Sequence, residues 1–137
     1  MKKKFYLYGL LICIVLGLGI YSYISSVAIC GTSDNGVWKA SYQKNFDKGV
    51  GGWIGHVKQT SEDKIKLKEI RFTDNEKTLM SDHIFIDERM EDGSVTKLNP
   101  VSIDFYLGDP PKENHKYKLH ITWEKKGKLH TDIFQLK

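Results

Sequence analysis

The sequence is poor in cysteine, and this shortage limits what the chain can be. Its two cysteines are Cys13, inside an apolar N-terminal run, and Cys30, at the outer end of that run. Residues 31–137 therefore cannot form a disulfide among themselves, and they cannot build a thiolate metal site or present a cysteine nucleophile. Cys30 is therefore the unpaired cysteine that directly precedes residues 31–137.

The sequence also lacks the short motifs that mark common catalytic sites. It contains no G-x-S-x-G, no H-E-x-x-H, no C-x-x-C and no phosphate-binding glycine loop that leads into a helix. No catalytic residue and no cofactor-binding residue is therefore predicted. This favours a non-enzymatic binding or interaction module, and the alternative is an exported enzyme whose site is dispersed along the sequence.

A strong excess of one charge is missing as well. The formal net charge is +4, but three of the 21 basic residues are Lys2, Lys3 and Lys4, which leaves 18 basic against 17 acidic residues. No basic patch indicates nucleic acid as a partner. The expected partners are the membrane itself and an unknown protein or ligand of the cell envelope.

One long apolar run is present, at 5–29, where 25 residues carry no charge. As a helix it would measure roughly 37 Å, which exceeds the roughly 30 Å of a hydrocarbon layer. The lysines before it hold the N-terminus in the cytoplasm by the positive-inside rule. The sequence thus predicts a single-pass or exported protein whose C-terminal part lies outside the cytoplasm at the cell membrane.

Three fates remain open for this segment. It can stay as an anchor, which the length of the apolar run favours, or Ser26-Val27-Ala28 can direct cleavage before Ile29. The third fate is lipidation at Cys30. Bacterial lipoprotein signals place a small residue directly before the modified cysteine, and Ile29 departs from that pattern.

The remainder of the chain predicts an all-β domain. Residues 1–30 form the signal or anchor segment, 31–36 a short linker and 37–137 the domain. Alternation such as Trp38, Ala40 and Tyr42 on one face repeats along seven or eight short strands. The resulting fold class is an immunoglobulin-like two-sheet sandwich preceded by one N-terminal transmembrane or signal helix.

Several local features are expected within this domain. A change of parity between Leu67 and Ile70 predicts a bulge. A glycine-rich connection covers 46–52, and 74–81 fits either a helical turn or a loop. The stretch 83–90 reads as a strand that turns at Asp92-Gly93, which would pair Glu88 with Lys97 and Met90 with Val95.

The last hairpin carries the most detailed expectation. A three-residue loop, 125–127, would pair Trp123 with Leu129 and Leu119 with Ile133, so that all four share the buried face. Phe134 and Leu136 would then point outward. The three tryptophans are expected in the core; they are Trp38, Trp53 and Trp123.

The same register would bring three metal-binding residue types onto one outer patch. His120 would face Asp132, and His130 would lie two residues along the same strand face. Two imidazoles and a carboxylate can hold a transition metal weakly, which raises the alternative of a weak metal-binding envelope protein. Scattered histidines on an outer strand face are also ordinary, so no metal ligand is assigned.

Three stretches together resemble a known group of proteins. VWKASYQ, GGWIGHVKQ and the closing HKYKLHITWEKKGKLHTDIFQLK are similar to small exported, membrane-anchored or lipoprotein-type β-sandwich proteins of Bacillus-type Gram-positive bacteria. That family has no known function. The resemblance implies a fold and an extracytoplasmic location, and it implies no catalytic residue.

Overall fold

A computed structural model describes residues 2–46 and 52–137, with the side chains of 22–27 left out. Most of the predicted connection 46–52 therefore lies outside the described residues. The described elements are one helix and ten strands: α1 Lys2–Val27, β1 Ile29–Thr32, β2 Trp38–Lys44, β3 Trp53–Gln59, β4 Lys66–Asp74, β5 Lys77–Asp82, β6 Glu88–Arg89, β7 Val95–Leu98, β8 Val101–Leu107, β9 Tyr117–Lys125 and β10 Lys128–Leu136.

The strands form two antiparallel sheets, which confirms a mostly β chain behind one apolar N-terminal helix. The six-stranded sheet has the order β1-β2-β3-β8-β7-β6, and the four-stranded sheet has the order β10-β9-β4-β5. The chain crosses between the sheets after β3, β5 and β8. The crossing after β8 contains Pro110 and Pro111, which cannot donate hydrogen bonds to a strand ladder.

The core lies between the two sheets, and the strand alternation predicts much of it. Trp38 and Tyr42 are almost completely buried, and Trp53 and Trp123 are buried as well. Gly55 also lies on the inner face, where its lack of a side chain leaves room for an aromatic ring. A Cβ at Gly55 would lie only 2.0 Å from the ring of Phe105, its partner across the strands.

The first strand replaces part of the predicted linker 31–36. Residues 29–32 form β1, which pairs with β2 along its whole length. Cys30 also exchanges two backbone hydrogen bonds with Lys137, at 3.2 and 2.9 Å. β1 therefore joins both sheets, and one residue alone, Ala28, separates it from the helix.

The register predicted for the last hairpin is wrong by one residue. The loop has two residues, Lys126 and Gly127, both with positive φ, so His130 lies opposite Trp123 and Phe134 opposite Leu119. A one-residue shift moves every side chain of a strand to the other face. Accordingly Phe134 and Leu136 are buried, whereas Leu129 and Ile133 are exposed.

The remaining local expectations have mixed outcomes. The bulge between Leu67 and Ile70 is confirmed by a register shift between Leu67 and Glu69. The segment 74–81, expected as a helical turn or a loop, is mostly strand: a two-residue turn at 75–76 leads from β4 into β5. The predicted strand 83–90 is reduced to Glu88–Arg89.

The hairpin after that strand also differs from its expectation. Glu88 pairs with Thr96 rather than with Lys97. The Asp92 carboxylate accepts hydrogen bonds from both the backbone N–H and the hydroxyl of Ser94, at 2.9 and 2.7 Å. These bonds stabilise a longer loop, which shifts the pairing by one residue.

The large apolar side chains of the N-terminal helix are exposed as far as Tyr21. Its first 20 residues have a mean hydropathy of 1.8 and none of this stretch is buried. At about 1.5 Å per residue, the helix is roughly 39 Å long. It is therefore long and apolar enough to span a membrane.

Candidate functional site

One candidate site is a cavity of about 410 Å³ at one end of the sandwich, here called the end cleft. It is lined by residues from the β4–β5 hairpin, from the end of β8 with the connection that follows, and from the start of β9. Tyr42 contributes from β2. Each of these segments reaches the cleft where its strand begins or ends, so the two sheets together position the lining.

A histidine and a carboxylate meet in the end cleft. The carboxylate of Asp74, at the end of β4, lies 2.6 Å from Nδ1 of His115. Asp74 is paired with Tyr117 across β4 and β9, which brings His115 to the carboxylate from 41 residues away. A carboxylate at Nδ1 fixes the orientation of an imidazole ring and leaves Nε2 for a ligand.

Two buried tyrosines form the inner part of the cleft. The hydroxyl of Tyr42 donates to the backbone carbonyl of Asp109. The hydroxyl oxygen of Tyr117 accepts a hydrogen bond of 2.8 Å from the backbone N–H of Lys112. Both hydroxyls therefore fix the connection after β8, and with it one wall of the cleft.

Burial keeps both hydroxyls protonated. Burial raises the pKa of Tyr42 far above its ordinary value, and neighbouring Tyr117 and Asp109 raise it further. Burial also raises the pKa of Tyr117, against the opposing hydrogen bond from Lys112, and the charge of Asp74 adds to the rise. Neither tyrosine is thus prepared to act as a phenolate nucleophile or base.

The lining combines apolar surface with charges of both signs. Lys77 and Lys112 supply positive charge, and Asp74 and Asp109 supply negative charge. The apolar part comes from three further residues, Leu79, Leu107 and Pro110. Such a lining can hold a small amphipathic ligand by contact and by a few charge-assisted hydrogen bonds.

A second arrangement lies on the outer face of the six-stranded sheet. Ser41, His56 and Asp104 stand directly opposite one another on β2, β3 and β8, and are here called the His56 row. Asp104 lies 2.5 Å from Nδ1 of His56. Cys30 on β1 continues the row, since it pairs with Ser41. The order of hydroxyl, imidazole and carboxylate is that of a nucleophile, its base and an orienting group.

The structure separates the three residues considered for a metal. His120 lies on the outer face of the four-stranded sheet opposite Ile133, whereas His130 and Asp132 lie on the side of Trp123. The His130 ring stacks on the Trp123 indole with centroids 4.4 Å apart. The predicted patch of His120, His130 and Asp132 depended on the three-residue loop, and the register that this loop gave is wrong. Within the described residues, no group of three or more His, Cys, Asp or Glu is placed to hold a metal ion.

The former metal candidates have structural partners instead. Asp132 accepts hydrogen bonds from the Trp123 indole at 2.8 Å and from the Asn35 amide at 2.9 Å, which fastens the β1–β2 turn to β10. His120 lies 3.4 Å from the guanidinium of Arg71. Burial lowers the pKa of His120, and the positive charge of Arg71 lowers it further. Asp132 and His120 thus make contacts within the sandwich.

Sequence reasoning missed the two arrangements for different reasons. His115 and Asp74 carry no local pattern, because only the pairing of β4 with β9 brings them together. For the His56 row a signal existed. His56 and Asp104 both occupy outward positions of clearly alternating strands, so the pairing of β3 with β8 alone would have revealed them.

Comparison with known proteins adds nothing to these geometric observations. The chain matches no protein-family model, and no match is found among curated proteins or solved structures.

Proposed function

We propose that the chain is a membrane-tethered extracytoplasmic binding module without enzymatic activity, and that the end cleft is its binding site. The cleft carries this proposal. Its volume of about 410 Å³ falls in the range of small-ligand sites, roughly 300–1,000 Å³. It also combines an apolar wall with a few placed polar groups, which is the usual composition of such sites.

The tether and the side of the membrane follow from the N-terminus. α1 is long and apolar enough to cross a bilayer. The three lysines at 2–4 favour a cytoplasmic N-terminus, so the sandwich belongs on the outer side. Retention of α1 supports a function at the membrane surface, where the ligand or partner must come to the domain.

The chemistry of the cleft supports binding over catalysis. Among the described residues, the lining contains no serine, threonine or cysteine that the His115–Asp74 pair could activate. Its two hydroxyls belong to Tyr42 and Tyr117, which are engaged and held protonated. Rigid walls and a fixed imidazole suit recognition of a ligand.

The His56 row supports the second candidate function, an exported hydrolase. Ser41 would act as nucleophile, His56 as base and Asp104 as the group that orients His56. The backbone N–H groups beside Ser41 serve the strand ladder, which leaves Lys39 and Lys58 to stabilise an oxyanion. A fluorophosphonate probe tests this candidate: labelling that is lost in Ser41→Ala would favour the hydrolase.

The finer features of the fold remain predictions beside this proposal. An immunoglobulin-like arrangement suits a binding module, and the likeness to small exported proteins of Bacillus-type bacteria supports the extracytoplasmic location. Lipidation of Cys30 stays a prediction too, as the alternative to a retained α1. The Cys30 side chain is exposed at the start of β1, a position that suits an attached lipid next to the membrane.

Site-specific photocrosslinking in intact cells tests the proposed function. A photoreactive residue at Leu79, on the rim of the end cleft, is compared with one at Lys126, in the turn at the opposite end of the sandwich. We expect a defined cross-linked product from position 79 and none from position 126. Equal products from both positions, or none from either, would contradict the assignment of the cleft as the binding site.

A further inference from the structure

The end cleft lies at the same end of the sandwich as the N-terminal helix. α1 ends at Val27 and β1 begins at Ile29. Ile29 is paired with Tyr42, and the Tyr42 hydroxyl reaches the carbonyl of Asp109 in the cleft. The base of the cleft is therefore level with the first residue of β1.

The second sheet gives the same result independently. Lys137, directly after β10, exchanges backbone hydrogen bonds with Cys30. Leu136 is paired with Tyr117, which in turn is paired with Asp74. The strand ends that carry the His115–Asp74 pair thus lie beside the start of β1, close to the helix.

These registers fix how far the cleft lies from a bilayer that α1 spans. Two residues, from Val27 to Ile29, extend at most about 7 Å. The polar headgroup region on each side of the hydrocarbon layer is roughly 5–7 Å thick. With Val27 at the edge of the hydrocarbon layer, the cleft therefore lies at the level of the lipid headgroups.

An exposed aromatic ring at the same end agrees with this position. Lys44, the last residue of β2, lies two residues beyond Tyr42 toward the helix, and Phe46 follows two residues after the strand ends. Phe46 is 66% exposed, and the ammonium group of Lys44 lies 5.9 Å from its ring centroid. An exposed ring with a neighbouring cation is well suited to the interface of a bilayer.

The charges of the cleft indicate the kind of headgroup. Lys77 and Lys112 can bind a phosphate. Asp109 and Asp74 can accept hydrogen bonds from an ammonium group. Because the lining offers both signs, it matches a ligand that carries both, more closely than one that is only anionic.

We propose that the end cleft binds the headgroup of a zwitterionic phospholipid with a primary ammonium group, of the phosphatidylethanolamine type, in the leaflet into which α1 inserts. This inference rests on the proposed function, since it uses the tether and the cleft as binding site. It adds the chemical class of the ligand and the direction from which the ligand arrives.

Native mass spectrometry of the full chain tests the inference. The chain is released from nanodiscs that contain equal amounts of phosphatidylethanolamine, phosphatidylcholine and phosphatidylglycerol, and the retained lipid is identified. We expect phosphatidylethanolamine to be enriched, because phosphatidylcholine has no N–H donor and phosphatidylglycerol has no cation. Equal retention of the three lipids would overturn the inference.

A pair of matched variants assigns the retained lipid to the cleft. Asp109→Asn removes a carboxylate from the lining, and Asp63→Asn removes one at the opposite end, where Asp63 lies 2.6 Å from Lys125. We expect Asp109→Asn to lower the enrichment about fivefold, as suits one partly exposed charged contact. Asp63→Asn should leave it unchanged. An equal loss in both variants, or in neither, would place the lipid elsewhere and overturn the inference.

Soluble glycerophosphoethanolamine separates a lipid from a free ligand of the same chemistry. Displacement of the retained lipid by this compound would support headgroup recognition. Its binding to the detergent-solubilised chain, combined with no lipid enrichment, would assign the cleft to a free zwitterion and overturn the lipid source. In that case a cross-linked product at position 79 would still support the proposed binding module.

Discussion

Two leucines of β10 offer a matched test of the register on which much of the fold depends. Leu136 is 3% exposed and Leu129 is 65% exposed, although the three-residue loop expected from the sequence predicts the reverse assignment. Leu136→Ala removes a buried side chain and should lower the free energy of unfolding by about 2–3 kcal/mol, the lower part of the usual range, because the chain end can relax. Leu129→Ala removes a side chain that buries only about a third of its surface, so the loss should stay below about 1 kcal/mol.

Urea unfolding of the full chain in micelles, followed by tryptophan fluorescence, measures this difference. The three buried tryptophans report the loss of the core. With a slope of about 1–3 kcal/mol per M of urea, Leu136→Ala should lower the midpoint by about 0.7–3 M at an unchanged slope. A larger loss in Leu129→Ala than in Leu136→Ala would refute the two-residue loop and restore the other register.

Three further predictions concern β1, His120 and Tyr42. Gly31→Ala places a Cβ 2.4 Å from the carbonyl oxygen of Gln135, so it should part β1 from β10 and speed hydrogen exchange of the amides that join them. Burial and Arg71 lower the pKa of His120 below its ordinary value of 6.5, so near and below pH 6.5 the unfolded chain binds more protons than the folded chain. The free energy of unfolding should therefore fall as the pH drops through that region, and His120→Gln should flatten this fall. Burial raises the pKa of Tyr42 above its ordinary 10.0, so the contribution of Tyr42 to the free energy of unfolding should be complete below about pH 10 and should fall as the pH rises above it. Tyr42→Phe should reduce this alkaline loss.

Each of these predictions has its own control. Gly108→Ala meets no atom within 4 Å and should not change exchange at β1; equal effects of the two glycine variants would contradict the joining role of β1. An unchanged acid slope in His120→Gln would contradict the neutral state of this residue in the fold. For Tyr42→Phe, an alkaline transition identical to that of the native chain would show that other groups cause the loss.

Strand alternation predicted the sheets and most of the core, because a half-buried strand repeats every two residues. Trp38, Tyr42 and Trp123 followed from that period alone. The bulge between Leu67 and Ile70 followed from a break in the same period. These features depend on residues close together in sequence.

Loop length was the point at which sequence reasoning failed. Both hairpin loops differ by one residue from their expected lengths, one shorter and one longer. The turn requires a positive φ at Lys126, and a lysine gives no sequence signal for that backbone conformation. The other loop is set by the Asp92 side chain and its bonds to Ser94. One residue in a loop then reverses the faces of a strand, as it did for Phe134.

The candidate site depended on strand order, which no local pattern carries. Asp74 and His115 meet because β4 pairs with β9, and Tyr42 joins them from the other sheet. The closeness of the cleft to the helix likewise depends on the pairing of Ile29 with Tyr42. These are long-range contacts, so they required the structure.

Thiol labelling in intact cells most directly tests whether a membrane helix holds the sandwich on the outer side. Single cysteines are introduced as Lys126→Cys and Lys4→Cys in a chain that carries Cys13→Ser and Cys30→Ser. We predict that a membrane-impermeant maleimide labels position 126 in intact cells and position 4 only after lysis, with both chains in the membrane fraction. Labelling of position 4 alone in intact cells, or a soluble full-length chain, would contradict the account.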